Sequence, residues 1–537
     1  MMSMNSKIRD TNMQTKVIVI GLDGATFRIL LPWIKEGKLP LLRFLIENGA
    51  YGNLEVFFPT LSPLEWTCFY TGVNPGKLGI FAVYQLENPK LFVSSGSIFT
   101  AKSIKAPSIW RILSYYGKKV GVMNIPGTYP PERVNGFLIS GILSPSENSN
   151  YFYPPELKSI LKSMNYKIDL GFIMGELPDK NIVKEKLLKE QIVVTKRRVD
   201  VALKLINIFN PDFFAINFKG LDNIQHLFWR RKNIILLYLM FLEKQILRLC
   251  ECFKPTHIIV LSDHGFHEAE SKYFYINTFL YKKGYLARRK GLLPFLYLLL
   301  LELAGKIIGN FKQIRLIIPE KLKWNLVRKD LSRQIDYEKS IAYASMWGVF
   351  ISKKLSKQYY NFIKQKIKRE LEACIDPETK ERVLNLIIEK ESIYNGNIKN
   401  FPDLILVPNH KYMINPALLL FTLFSKRIDK PYLEGAHKSD PYGILIIYGR
   451  DIKKNYVISD AKIIDVAPTI LRLYDIPIPK NMDGKVLTEV FYTSKMSKIL
   501  SGGKWKIEEV YKEWGVKYKI KNKIKVIRER LRGLKEY

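Results

Sequence analysis

Six side chains able to hold a metal or move a proton lie in four short loops, each at the end of an apolar run. They are Asp23, the pair Asp222 and His226, the pair Asp263 and His264, and His437. Lys16 to Gly24 reads Lys-Val-Ile-Val-Ile-Gly-Leu-Asp-Gly, a β-branched run that stops at an acid. Such a run predicts a buried strand, parallel and central in a sheet. A carboxylate directly after it is costly to bury unless it is paired or holds a metal. The run 257–261, His-Ile-Ile-Val-Leu, repeats the arrangement and delivers Ser262-Asp263-His264-Gly265. The strand predicted at 213–218 delivers Lys219-Gly220-Leu221-Asp222-Asn223-Ile224-Gln225-His226, whose acid and histidine, four apart, share one helical face. Open α/β sheets place their chemistry outside the carboxyl ends of such strands.

A hydroxyl stands among these loops. The segment 59–67, Pro-Thr-Leu-Ser-Pro-Leu-Glu-Trp-Thr, follows a strand predicted at 51–58. Pro63 suits the first turn of a helix, which puts Ser62 at the N-cap. There it either only caps the helix or acts as a nucleophile facing an anionic phosphate in the helix dipole. Of the other histidines, His257 starts a strand and reads as structural, His267 shares the 263–267 loop, and His410 reads as surface.

The elements that must position these groups follow in order. One helix is predicted over 27–48, a strand over 119–123, a long amphipathic helix over 180–208, and strands over 403–407 and 443–448. Asp465 opens another helix. Four divisions result. Residues 1–285 begin the catalytic core, 286–425 form a helical insertion and cap, 426–490 complete the core, and 491–537 form a basic helical tail.

The chain has 537 residues, with Lys+Arg 85 against Asp+Glu 50, a formal net charge of +35. That balance favours anionic partners: phosphorylated small molecules or lipids, or an anionic membrane surface. No recognised nucleic-acid module or aromatic-interleaved basic strand appears, so no specific nucleic acid is expected. Four scattered cysteines show no zinc or disulfide spacing, and the polar start carries no signal peptide, so a cytoplasmic location is expected, peripheral at the membrane as the alternative. The apolar stretch 291–301 is too short for a span of roughly 20 residues. It is a buried helix or one lying on a membrane surface.

The ordered set of motifs resembles the alkaline phosphatase superfamily, in its type I phosphodiesterase/nucleotide pyrophosphatase branch. The motifs are Gly-Leu-Asp-Gly (21–24), Leu-Ser-Pro-x-x-Trp-Thr (61–67), Thr-Gly-Val-Asn-Pro-Gly-Lys (71–77), Asp-x-x-Gln-His-x-Phe-Trp (222–229), Ser-Asp-His-Gly-Phe (262–266), Gly-x-His (435–437) and Asp-Val-Ala-Pro-Thr-Ile-Leu (465–471). The resemblance implies an α/β fold with a mostly parallel central sheet sandwiched by helices. It implies one metal held by Asp23, Ser62, Asp263 and His264, and a second by Asp222, His226 and His437. Such mixed ligands suit zinc first and manganese second, and two ions about 4 Å apart clamp an in-line phosphoryl displacement. Ser62 would attack and form a phosphoserine intermediate. A phosphotransferase acting on lipid or glycan head groups is the alternative on the same site, and a basic nucleic-acid-binding protein with an idle site is a third reading.

The chain departs from the branch in three places. Ser62 stands where diesterases more often carry threonine. Glu65, three residues on, stands where nucleotide pyrophosphatases carry asparagine, and its carboxylate would repel a phosphate unless turned away. Leu78 stands where the branch commonly has histidine. The sulfatase signature around Cys68 is absent.

Overall fold

A computed structural model describes residues 14–82, 84–85, 99–170, 181–289, 334–427 and 433–492. The apolar run 291–301, most of the insertion around it and the basic tail lie outside the described residues.

The core is a ten-stranded sheet. Its strands in chain order are β1 (Val17–Gly21), β2 (Ala50–Glu55), β3 (Val120–Ile125), β4 (Gly136–Ser140), β5 (Phe152–Tyr153), β6 (Phe213–Asn217), β7 (His257–Leu261), β8 (Tyr442–Gly449), β9 (Tyr456–Val457) and β10 (Ala461–Lys462). The spatial order is β9-β2-β8-β7-β1-β6-β3-β4-β5, with β10 also beside β2. Only β8 and β5 run against the rest. The expected mostly parallel α/β sheet is therefore present.

Alternation along the strands builds two cores. Ile18, Ile20, Phe214, Ile216, Ile258 and Val260 face the helices Phe27–Lys35, Pro40–Glu47, Asn181–Phe209 and Lys232–Phe253. Val17, Val19, Phe213, Ala215, Ile259 and Leu261 face the opposite layer, which includes Ser62–Thr71, Ile109–Tyr115 and Val466–Leu473. With both faces covered, the central strands read as continuous apolar runs.

Register brings the functional loops to one edge. Gly21 pairs with Asn217 on one side and Leu261 on the other, so Asp23 and Asp263 leave the sheet at the same height. Antiparallel β8 starts at that edge, because Leu445 pairs with Leu261, which delivers the preceding loop with His437. Glu55 pairs with Tyr442, so β2 also ends there and sends the chain on to Ser62.

Two local expectations are corrected. The helix predicted over 27–48 is two helices, Phe27–Lys35 and Pro40–Glu47. Pro40 opens the second helix, and the residue before a proline is driven out of helical geometry; Leu39 accordingly has ψ 75. Ser62 is the first helical residue rather than the cap. Leu61, extended at φ −130 and ψ 123, takes that place and makes no side-chain capping bond.

Beyond the main sheet, Ala342–Ala344, Gly348–Ile351, Leu404–Pro408 and Leu384–Glu389 form a four-stranded antiparallel sheet, against which helix Lys357–Glu372 packs. A small apolar cluster with Phe58, Trp347, Tyr394 and Phe401 joins it to the segment before Ser62. Among the described residues no helix is long and apolar enough to cross a membrane.

Candidate active site

All seven residues singled out in the sequence meet at the carboxyl edge. Asp222, His226 and His437 form one group whose ligand atoms lie within 4.8 Å of one another. Asp23, Asp222 and His264 form a second group by the same measure, so Asp222 faces both. Ser62 Oγ lies 3.3 Å from Asp23 Oδ1 and 3.3 Å from His264 Nε2. Asp263 Oδ2 lies 3.3 Å from His264 Nε2.

Each histidine is aimed by its backbone partner. Nδ1 of His226 meets the Gly435 carbonyl at 2.8 Å, that of His264 the Gly265 carbonyl at 3.0 Å, and that of His437 the Thr60 carbonyl at 3.1 Å. A carbonyl only accepts, so Nδ1 carries the proton and Nε2 is left with its lone pair toward the site. Outer hydrogen bonds of this kind orient metal-ligating histidines. The His264 and His437 rings stack with centroids 3.8 Å apart. Thr60 completes a reciprocal pair by donating from Oγ1 to the His437 carbonyl at 2.9 Å.

The carboxylates are held in the same manner. Asp23 Oδ2 accepts from Trp66 Nε1 at 3.3 Å and from Asn217 Nδ2 at 3.0 Å, which leaves Oδ1 facing Ser62. Asp263 Oδ1 accepts from the Gly24 amide at 3.2 Å. Asp222 Oδ1 and Asp263 Oδ2 are buried and accept no hydrogen bond. Buried carboxylate oxygens left over are costly unless a cation completes them. With three imidazole nitrogens converging on them, the donor set fits divalent ions of borderline softness.

The electrostatics carry the strain of this arrangement. Burial pushes the Asp263 carboxyl up to about 7, and the Asp23 charge adds to it. Burial opposes the charged form of His264, but Asp263, Asp23 and Asp222 outweigh it and raise the group. For Asp222 burial also works against charge, yet Lys219 and His226 hold it well below the usual carboxylate range. Burial, then neighbouring His264, keeps His437 neutral.

Glu65 does not oppose a phosphate, because of where it points. Its Oε2 accepts from the Phe57 amide at 3.2 Å, and burial raises its carboxyl well above the normal range. Its charged form is disfavoured by burial, and the side chain is turned toward the backbone of residue 57.

Three groups in the site escaped the sequence reading. Trp66 and Asn217 orient Asp23, and Lys219 places Nζ 2.7 Å from Asp222 Oδ2 and 3.9 Å from Asp23 Oδ1. The Lys219/Asp222 spacing of three on a helix start was the available signal. His267 stays outside the metal groups: its Nε2 meets Ser439 Oγ at 2.9 Å, which fastens the loop that carries His437. His257 pairs with Asp451 at the far end of its strand, as its structural reading expected, and His410 is exposed.

Comparison with known proteins adds the family. The profile described as "Type I phosphodiesterase / nucleotide pyrophosphatase" matches residues 17–437. The chain belongs to this family. Its reaction class is phosphoric-ester hydrolysis, dependent on divalent metal. No curated protein sequence matches it. Among solved structures it is similar to phosphonoacetate hydrolase from Sinorhizobium meliloti, with a TM-score of 0.53 and 14% identity over 84% of this chain and 94% of that one. It is similar to human ectonucleotide pyrophosphatase/phosphodiesterase 5, with a TM-score of 0.50 and 12% identity over 89% and 100%. It is also similar to the alkaline phosphatase PafA, with a TM-score of 0.52 and 15% identity over 90% and 100%. These likenesses show the alkaline-phosphatase-like fold.

Proposed function

We propose that this family member is a two-metal phosphodiesterase that works through a covalent phosphoserine on Ser62. The observation that carries the reading is the position of Ser62 Oγ, 3.3 Å from both Asp23 Oδ1 and His264 Nε2, on the first residue of a wholly buried helix. A serine whose hydroxyl were spent on capping would not face two ligand candidates.

Asp23, Ser62, Asp263 and His264 would hold one divalent ion, zinc before manganese, and Asp222, His226 and His437 the other. Such ions supply positive charge to the phosphoryl oxygens and acidify the hydroxyl and water they meet. The chain's own residues do the rest. His264 Nε2, with its Nδ1 committed to Gly265, would give its lone pair to the ion beside Ser62, and the acidified Ser62 hydroxyl would release its proton to water, from which the leaving alcohol recovers one. Oγ attacks phosphorus, the Oγ–P bond forms, and the ester P–O bond breaks to release the alcohol. Water then attacks phosphorus from the vacated side, the Oγ–P bond breaks, and Ser62 is regenerated. The N-terminus of helix 62–71 adds its dipole to the stabilisation of the developing negative charge.

The leaving group would lie against Leu61, Met346 and Trp347, with Lys438 Nζ 5.5 Å from the Trp347 ring centroid. In this reading residues 286–425 act as a cap on a core made of 1–285 and 426–490. An apolar wall with a nearby ammonium suits the organic half of a phosphodiester, small-molecule or lipid.

The test is turnover of bis(p-nitrophenyl) phosphate beside p-nitrophenyl phosphate, on metal-stripped protein given back Zn²⁺ or Mn²⁺. The diester is cleaved faster, and Ser62→Ala lowers its turnover by several orders of magnitude. Near-wild-type turnover in Ser62→Ala would remove the nucleophile assignment. Faster monoester cleavage would make the enzyme a phosphatase.

A further inference from the structure

Helix Gly220–Phe228 carries His226 in its last turn, and two side chains from elsewhere take up the backbone groups at its end. The last carbonyls of a helix have no partner inside it. Lys184 Nζ, from helix Asn181–Phe209, donates to the Leu227 carbonyl at 2.9 Å. The His226 carbonyl accepts from the Glu434 amide at 2.8 Å. Continued helix would have paired that carbonyl with the Arg230 amide. The Arg230 amide instead donates to Glu434 Oε2 at 3.0 Å. Glu434 therefore supplies both halves of the bond that the helix gives up. The two side chains are joined, since Lys184 Nζ lies 2.8 Å from Glu434 Oε1 and both are largely buried, 14% and 15% exposed. Arg231 approaches the same oxygen at 3.8 Å.

The residue after Glu434 is the one that aims His226. The Gly435 carbonyl accepts from His226 Nδ1 at 2.8 Å, and Gly435–Ala436 pairs antiparallel with His267–Glu268. A Cβ on Gly435 would stand 2.6 Å from the Gln225 carbonyl oxygen, so the strand lies directly on the helix backbone. His437 follows two residues later. A displacement of Glu434 thus moves the carbonyl that fixes one histidine and the loop that carries the other. Released from that carbonyl, an imidazole is free to carry its proton on Nε2, which removes the lone pair needed by an ion.

We propose that Lys184 and Glu434 form a clasp that positions His226: their bridge holds the helix end against the 435–436 strand, so that Nδ1 stays on the Gly435 carbonyl and Nε2 stays open to the site. Both are positioning residues, since neither belongs to the groups that could hold an ion. The inference rests on the reading of His226 as a metal ligand. A bridge that only added stability would behave differently, because its loss would leave ion binding by the folded protein unchanged.

The experiment is calorimetric titration of the metal-stripped full chain with Mn²⁺, beside hydrogen exchange of the 226–231 amides in the metal-free protein. Lys184→Met and Glu434→Ala each weaken Mn²⁺ binding by about tenfold or more, and both speed exchange at Arg230. Lys184→Gln serves in place of Met if that variant does not fold. Lys184→Arg, which can still donate to both oxygens, retains wild-type binding. Asp200→Asn is the control. It removes an ion pair of the same helix with Lys196 and Arg248 and leaves Mn²⁺ binding unchanged. Wild-type affinity in folded Lys184 and Glu434 variants overturns the inference, as does an equal loss in Asp200→Asn. If wild type binds no ion, the metal-ligand reading of His226 falls, and unchanged exchange at Arg230 in the variants would separately remove the clasp.

Discussion

Gly21 ends the central strand, and the space above its Cα is filled by the two groups that orient Asp23. A Cβ there would stand 2.4 Å from Cη2 of Trp66 and 2.6 Å from Oδ1 of Asn217. Ordinary contact begins near 3.4 Å, so Gly21→Ala requires each neighbour to retreat by about 1 Å. Both are fully buried and cannot turn into solvent. Overpacking of this kind costs about 1–3 kcal/mol. The retreat also stretches the 3.0 Å and 3.3 Å bonds to Asp23 Oδ2, and a hydrogen bond to a charged group is worth about 1.5–3 kcal/mol. With partial relaxation, the expected loss is about 2–4 kcal/mol in urea unfolding of the metal-free protein, together with weaker binding of the ion that uses Asp23. Trp66→Phe removes Cη2 as well as the Nε1 donor, so it both costs a hydrogen bond and makes room for the methyl. The double variant is therefore less destabilised than the sum of the two singles, a coupling that a double-mutant cycle reads directly. A single-variant loss under about 0.5 kcal/mol, or strict additivity in the cycle, would refute the claim that Trp66 and Asn217 hold Asp23 by packing on Gly21.

Two further outcomes follow from buried acids. Glu65→Gln leaves diester kcat/KM within about threefold of wild type from pH 6 to 8, because burial disfavours the charged carboxyl and Oε2 is engaged with the Phe57 amide; a gain of about tenfold or more would mean that a charged Glu65 had been repelling phosphate. Glu243 accepts from the Leu42 amide at 2.8 Å, and burial pushes it up to about 7. Its folded form holds the proton more tightly than the unfolded chain does, so stability present below pH 4.5 is lost as pH rises toward 7. The loss is at most about 3 kcal/mol. Glu243→Gln keeps an acceptor for Leu42 and escapes that loss, so urea midpoints of the two proteins separate above pH 7 and converge near pH 4; parallel pH profiles would contradict the assignment.

How much of this was legible in the sequence follows from the range of the interactions involved. Buried parallel strands announce themselves through unbroken β-branched runs, so 257–261 is found to the residue and Asp263 with it. Ligands that hang directly from such runs inherit that certainty. The break at Leu39–Pro40 was written in the chain too, since proline constrains the residue before it. Side-chain partnerships that cross from one loop to another were not. Nothing in the local pattern marks Trp66, Asn217 or Lys219 as partners of one another; only the register of three strands reveals that all of them end on Asp23.

Asp222 shows why the division of ligands into two separate sets could not be read beforehand. It stands five residues beyond the strand end, and the first turn of its helix brings its carboxylate over the neighbouring strand's Asp23. Shared between both groups, Asp222 couples them: whatever cation occupies one side changes the field on the other. A site built this way balances its charge only as a unit of three carboxylates, one ammonium and the ions it recruits. The phosphoryl group, itself anionic, is then the natural last member of the set. A monoanionic ester and a dianionic one complete that balance to different degrees, so the choice between diester and monoester is tied to the charge that Asp23, Asp222, Asp263 and Lys219 hold together.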